Sequence, residues 1–226
     1  MTDTAAPPLY PLSLRLEGEK CLVVGGGRIA ARKIASLVTC GAEVTVIAPA
    51  TLPEVNVLAG EVRRRPYRRG DAAGFRLVIA ATGDAAVDQD VFEDAEAHRV
   101  LVNAADQPAA CRFLVPAVLR RGPVSVAVST GGASPYLATW LRDRIAATSG
   151  PELEEVAALL SEVRASLRSL GLSTEGLPWA DLVDDELLAE VAAGRIDHAR
   201  ARAARWLADR ESAPETAPRE NEVSRS

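Results

Sequence analysis

The stretch LVVGGGRIAARK, residues 22–33, drives an apolar run straight into three glycines and out into a segment with apolar residues at helical spacing. A corner with so little side chain allows few folds: it asks for a strand, a tight turn and a helix, with the backbone left open at the turn. The same rhythm continues downstream. Residues 21–24 read as a buried strand, and Ile29, Ile34, Leu37 and Val38 put an apolar face on a helix that Gly41 ends. EVTVIAP from Glu43 is a second strand stopped by Pro49, and EVRRRPY is a weaker one that Pro66 confines to an edge or a strand end. FRLVIAATGD from Phe75 is a buried strand, followed by a helix over residues 85–97 and a strand over residues 100–103. Parallel neighbours need crossovers of this kind, so the expected fold class is α/β, a Rossmann-like doubly wound parallel sheet.

Beyond Phe113 the rhythm changes. GPVSVAVST alternates like a strand, and GGASPYLATWLRDRIAA reads as a glycine turn and an amphipathic helix, with Ser134 as cap and Pro135 at its first position. Residues 151–170 form a further helix that Gly171 stops, and residues 182–191 and 196–207 read as two shorter ones. The expected organisation is a nucleotide-binding domain over 1–113, a dimerisation segment over 114–149, a small helical domain over 150–210 and a disordered tail over 211–226. Tyr136, Leu137, Trp140 and Leu141 make an apolar helical stripe with no evident cover in the first domain. Burying that stripe across a two-fold axis predicts a homodimer, and cover by the C-terminal helices is the competing arrangement.

Composition excludes several classes. With 48% hydrophobic and 25% charged residues the chain is an ordinary globular one, and a net charge of -5 argues against a general nucleic-acid binder. Cys21, Cys40 and Cys111 are odd in number and lack CxxC spacing, which disfavours a disulfide framework or a permanent metal site. MTDTAAPPLYPL carries no basic-then-apolar leader, and no run reaches the length of a membrane span. A cytoplasmic protein is expected.

Gly25, Gly27 and Ala30 occupy the three positions of the dinucleotide fingerprint. Gly25 permits the turn, Gly27 lets the backbone approach a pyrophosphate, and Ala30 allows close packing of helix on strand. The acid that commonly holds the ribose 2′-hydroxyl after the second strand is missing, because none occurs before Glu54. Arg28 fits either a 2′-phosphate or solvent, so the fingerprint leaves NAD and NADP open. VLVNAADQPAACRFLVPA places Asn103, Asp106 and Pro108 after a strand end, on the ligand-binding edge of such a sheet. Spacing leaves Asp106 open between a general base and a turn residue.

In order, LYPLSLRLEGEKCLVVGGGRIAARK, VTVIAP, LVIAATGDAAVDQDV, VNAADQPAACRFLVPA and VSVAVSTGGASPYLATWLRD resemble one family. It is the precorrin-2 dehydrogenase and sirohydrochlorin ferrochelatase family, which includes the N-terminal module of sirohaem synthases. The resemblance implies NAD-dependent oxidation of precorrin-2, a carboxylate-rich reduced tetrapyrrole, to sirohydrochlorin, followed in many members by insertion of Fe²⁺. It also implies a homodimer. Asp106 matches the family's catalytic aspartate, which implies a proton acceptor that also guides Fe²⁺ without a permanent metal site. Gly25, Gly27, Arg28 and Ile29 fall at the dinucleotide loop, Pro49 and Ala50 at the adenosine ribose, and Thr82 and Asp84 near the cofactor. Asn103, Arg112 and Thr130 fall on the substrate side, Thr130 standing where some members carry serine. Arg112, Arg120, Arg142 and Arg144 are candidates for substrate carboxylates, each more readily read on its own as a solvated surface charge. The run Arg63, Arg64, Arg65, Arg68 and Arg69 reads as an exposed edge, His98 and His198 as structural or solvated, and Cys111 as a buried thiol. A non-catalytic NAD(P)-sensing module is the competing reading: it shares the glycine loop but has no use for Asp106 or the STGGASP turn.

Overall fold

The computed structural model describes residues 8–105, 107 and 110–212. Asp106, Pro108 and all but the first two residues of the expected tail lie outside the described residues. The chain divides into two compact units, one comprising the residues up to Pro116 together with Ser129–Pro135, the other Ala117–Val128 and the residues from Tyr136 on.

In the first unit, β1 (Lys20–Val24), β2 (Glu43–Ile47), β3 (Glu61–Arg63), β4 (Leu77–Ala80) and β5 (Leu101–Ala104) form one parallel sheet in the order β3-β2-β1-β4-β5. Val24 lies level with Ile47 on one side and Ala80 on the other, and Ala80 with Ala104, so the strands end along a common carboxyl edge. From β1 the chain runs outward through β2 and β3, then returns to β4 on the opposite side of β1. That reversal opens a crevice at the carboxyl edge beside β1, where doubly wound sheets take their ligands.

Alternate residues of the buried strands feed two cores. Cys21, Val23, Val44, Val46, Leu77 and Ile79 pack on one face with Ala30, Ile34 and Leu37 of α1 (Arg28–Thr39) and Val55 of α2 (Pro53–Leu58). Leu22, Val24, Val78, Ala80 and Val102 pack on the other with Val91 and Ala95 of α3 (Ala85–Ala97). Burial on both faces explains why these strands read as unbroken apolar runs rather than alternating ones. As expected, α1 gives way to Gly41, at φ 78°, and β3 is an edge strand, although it ends at Arg63, three residues short of Pro66. The short α2, opened by Pro53, is a crossover that apolar periodicity did not reveal.

No helix connects β3 to β4. The loop is instead pinned to α3 by Asp94, whose carboxylate accepts from Tyr67 Oη at 2.5 Å and from the amides of Gly70 and Ala72 at 2.9 and 3.2 Å. The arginines of this region do lie on an exposed edge, and three of them are paired there: Arg63 with Glu61 at 2.9 Å, Arg65 with Asp71 at 2.6 Å and Arg69 with Glu93 at 2.6 Å.

In the second unit, β6 (Ala117–Arg121) and β7 (Val124–Val128) make an antiparallel hairpin closed at Gly122 and Pro123. Only β7 was expected from the sequence. α4 (Pro135–Thr148) opens at Pro135 as anticipated, and α5 (Glu152–Ser169), α6 (Asp185–Ala192) and α7 (Ile196–Glu211) surround a core that includes Leu167, Leu182, Leu187 and Trp206. Trp206 stacks on Trp179 with ring centres 5.0 Å apart.

Candidate functional site

The glycine corner connects β1 to α1 at the carboxyl edge. Gly25 is buried at φ 122°, and a Cβ there would stand 2.2 Å from the carbonyl oxygen of Ala81. A Cβ on Gly26 would stand 2.1 Å from that of Ala50. The first glycine lets β1 leave the sheet past β4, and the second lets the loop lie on the segment after β2, where Leu52 N donates to Gly26 O at 2.9 Å. Gly27 differs from both. A Cβ on it would meet nothing within 4 Å, so its backbone faces open space.

Gly27 is also the N-cap of α1, whose first intrahelical bond runs from Ala31 N to Gly27 O. The amides of Arg28, Ile29 and Ala30 therefore have no partner within the helix. The first turn of α1 carries no acid to oppose an anion, and Ala30 packs fully buried against the sheet. Together these features present positive amides and a bare backbone to open space, as an anion site requires. Arg28 and Ile29 flank that space and are exposed, and Pro49 and Ala50 are exposed at the end of β2.

On the other side of β1, the end of β4 is held by a carboxylate that the sequence reading missed. Asp88 is almost fully buried, and its Oδ1 accepts from Thr82 Oγ1 at 2.7 Å and Thr82 N at 3.2 Å. Asp84 caps α3, accepting from Ala86 N at 2.9 Å. Thr82 and Asp84 thus sit at the expected edge with much of their polar capacity spent on shaping the β4–α3 corner. An aspartate four residues beyond Asp84, in the first turn of an otherwise apolar-faced helix, was the available signal for Asp88.

Asn103 is buried on β5, and its Nδ2 donates to Phe113 O at 2.9 Å. Residues 111 and 112 run back antiparallel to β5 through the Asn103–Cys111 bridge and the bond from Arg112 N to Val102 O. The amide of Asn103 therefore fastens the returning chain. Beyond β5, Ala105 N donates to Ala80 O at 2.8 Å, Gln107 N to Ala104 O at 3.3 Å, and Cys111 Sγ to Ala104 O at 3.2 Å. Burial raises the Cys111 thiol above its ordinary value despite the opposing charge of Lys33, which suits a structural thiol rather than a nucleophile.

Arg112 pairs with Glu96 and lies over the Phe92 ring. In the STGGASP turn, Thr130 Oγ1 donates to Ser134 O at 3.0 Å and accepts from Ser134 N at 3.1 Å, while Gly131 and Gly132 take positive φ. The Thr130 hydroxyl closes the turn on itself. Arg142 pairs with Asp143, and Arg144 lies over Trp140. His98 ends α3 and His198 lies on α7, and the described residues hold no group of three or more His, Cys, Asp or Glu that could bind a metal. The broad groove lined by Lys20, Glu43, Glu61, Arg63 and Phe75 lies at the opposite ends of the strands from the glycine loop. Among the described residues no helix is long and apolar enough to cross a membrane.

Residues 12–117 match a family model described as putative NAD(P)-binding, and residues 121–148 one described as sirohaem biosynthesis protein central. A sirohaem synthase of Methylococcus capsulatus is 43% identical over 162 residues, 70% of this chain and 34% of that protein. Another, from Gluconacetobacter diazotrophicus, is 38% identical over 214 residues, 89% of this chain and 45% of that protein. The chain spans less than half the length of these relatives. A solved structure of SirC, a precorrin-2 dehydrogenase, superposes with a TM-score of 0.65 at 28% identity, covering 91% of this chain and all of that one.

Proposed function

The chain belongs to the family of precorrin-2 dehydrogenases and sirohaem-synthase modules, and from that premise we propose that it oxidises precorrin-2 to sirohydrochlorin with NAD. The observation that carries the nucleotide half is the bare backbone of Gly27, which faces open space at an acid-free helix start. When bound there, NAD supplies the hydride acceptor. The amides of Arg28, Ile29 and Ala30 hold its pyrophosphate, and Pro49 and Ala50 line its adenosine ribose.

In this reading, with bound NAD as the oxidant, Asp106 accepts the proton that precorrin-2 loses on oxidation. The carboxylate also favours the positive charge that develops as hydride leaves. Thr82 and Asp84, braced by Asp88, shape the edge beside the cofactor. Asn103 sets the path of the chain that returns past β5, and Thr130 shapes the turn on the substrate side. Arg112 exchanges Glu96 for a substrate carboxylate. Fe²⁺ enters as a second substrate: Asp106 guides it and accepts pyrrole protons during insertion. The active species works in the cytoplasm as a homodimer, and the exposure of Tyr136, Leu137 and Trp140 along α4 at 80%, 44% and 45% supports the dimer.

Asp106→Asn tests the assignment, because it keeps the size and turn-forming habit of the residue while removing charge and basicity. The variant is expected to bind NAD as the wild type does and to oxidise precorrin-2 roughly 10²-fold more slowly or worse, the usual scale for loss of a general acid or base. Oxidation at the wild-type rate would return Asp106 to the role of a turn residue.

A further inference from the structure

Arg64 follows β3 directly, next to the end of β2. Its guanidinium donates to Thr51 Oγ1 at 2.8 Å and to Asn56 Oδ1 at 2.9 Å, and Thr51 Oγ1 in turn donates to Asn56 Oδ1 at 2.9 Å. Asn56 is itself tied back by a bond from its Nδ2 to Leu52 O at 3.2 Å. Thr51 adjoins the glycine loop, because a Cβ on Gly26 would stand 2.9 Å from its Cα. The neighbouring arginines 63, 65 and 69 are all neutralised by carboxylates. Arg64 is not: among the described residues both its side-chain partners are neutral oxygens, and Glu54, the first acid after β2, makes no ion pair with it.

Fixed by two acceptors and left with its full charge, this cation stands at the corner between the glycine loop and the end of β2. In dinucleotide folds that corner receives the adenosine ribose, where an acid selects the 2′-hydroxyl of NAD and an arginine accommodates the 2′-phosphate of NADP. Here the acid is missing and the arginine is held in place, with donors left over for an anion. We propose that Arg64 is a specificity-determining residue that gives the site a 2′-phosphate subsite, so that NADP binds alongside NAD. The inference rests on the nucleotide site proposed above and names a cofactor class that the glycine fingerprint leaves undecided.

Calorimetric titration of the full chain with NAD⁺ and NADP⁺ tests it, with Arg64→Gln as the variant, since glutamine keeps a polar reach toward Thr51 and Asn56 without the charge. Wild type is expected to bind NADP⁺ at least as tightly as NAD⁺ to within about threefold. The variant is expected to lose roughly tenfold to a hundredfold for NADP⁺, the worth of a charge-assisted hydrogen bond, with NAD⁺ nearly unchanged. Added salt should weaken NADP⁺ more than NAD⁺. Wild type preferring NAD⁺ by about a hundredfold, or a variant that weakens both dinucleotides equally as a mere brace of α2 would, overturns the subsite while leaving the nucleotide site intact. Failure of wild type to bind either dinucleotide overturns both.

Discussion

The three adjacent glycines do different work, and single methyl groups separate their roles. Gly27→Ala adds a Cβ where nothing lies within 4 Å and leaves a φ of -88° that alanine accepts, so the fold should be untouched. Gly26→Ala pushes a Cβ to 2.1 Å from Ala50 O, which backbone alone must relieve. The expectation is that Gly27→Ala melts with the wild type yet binds NAD at least tenfold more weakly, while Gly26→Ala is destabilised by about 1–3 kcal/mol, the usual cost of overpacking. Thermal melts and NAD titration check both, and a Gly27→Ala protein with undiminished affinity would remove the pyrophosphate from this loop. Gly25 and Gly27 were legible because the fingerprint fixes their spacing. Gly26 was not, since its need arises from Ala50, far along the chain. Asp88 was missed although its partner Thr82 lies only six residues away, and Arg64 was read simply as part of an exposed edge, because Thr51 and Asn56 meet it only once the chain has folded.

At the level of elements, the helices and strands with a regular apolar pattern or a clear stop signal were read correctly, and those with little pattern were not. α1 and α3 carry apolar residues at helical spacing, whereas α2 buries little beyond Val55 and leaves hardly any pattern. β6 escaped because two of its five residues are arginines. The β3–β4 loop depends on Asp94, a group 22 to 27 residues distant from its donors. Burial pushes the Asp94 carboxyl upward, but the Tyr67 hydroxyl, the Gly70 and Ala72 amides and the charge of His98 outweigh it and hold the group below its ordinary value. A depressed carboxylate contributes stability that is present above its unfolded value, about 4, and lost as pH falls through the lower folded value. Asp94→Asn should therefore cost about 1–3 kcal/mol at neutral pH and flatten the acid decline in stability below about pH 4. Denaturant unfolding across that range measures both, and a variant as stable as the wild type at every pH would show that the loop is held by something else.

For the whole molecule, the α/β class and the change of rhythm near Phe113 were evident from the sequence, because parallel crossovers impose a period that the following hairpin and helices break. The apolar stripe on α4 was equally legible, and in the single chain Tyr136, Leu137 and Trp140 remain substantially exposed. If a second copy covers them, Trp140→Glu should shift sedimentation from a dimer to a single 23.9 kDa species without altering the melting of the sheet unit. A wild type that sediments as a monomer at micromolar concentration would reject the dimer. Chemistry on a tetrapyrrole is the central claim, and one anaerobic absorbance experiment addresses it: the purified chain is mixed with precorrin-2 and NAD, then with Fe²⁺. The account predicts NADH and sirohydrochlorin appearing together in equal amounts before iron is added, and sirohaem after it. NAD binding with no oxidation of precorrin-2 would contradict it and leave a nucleotide-sensing module.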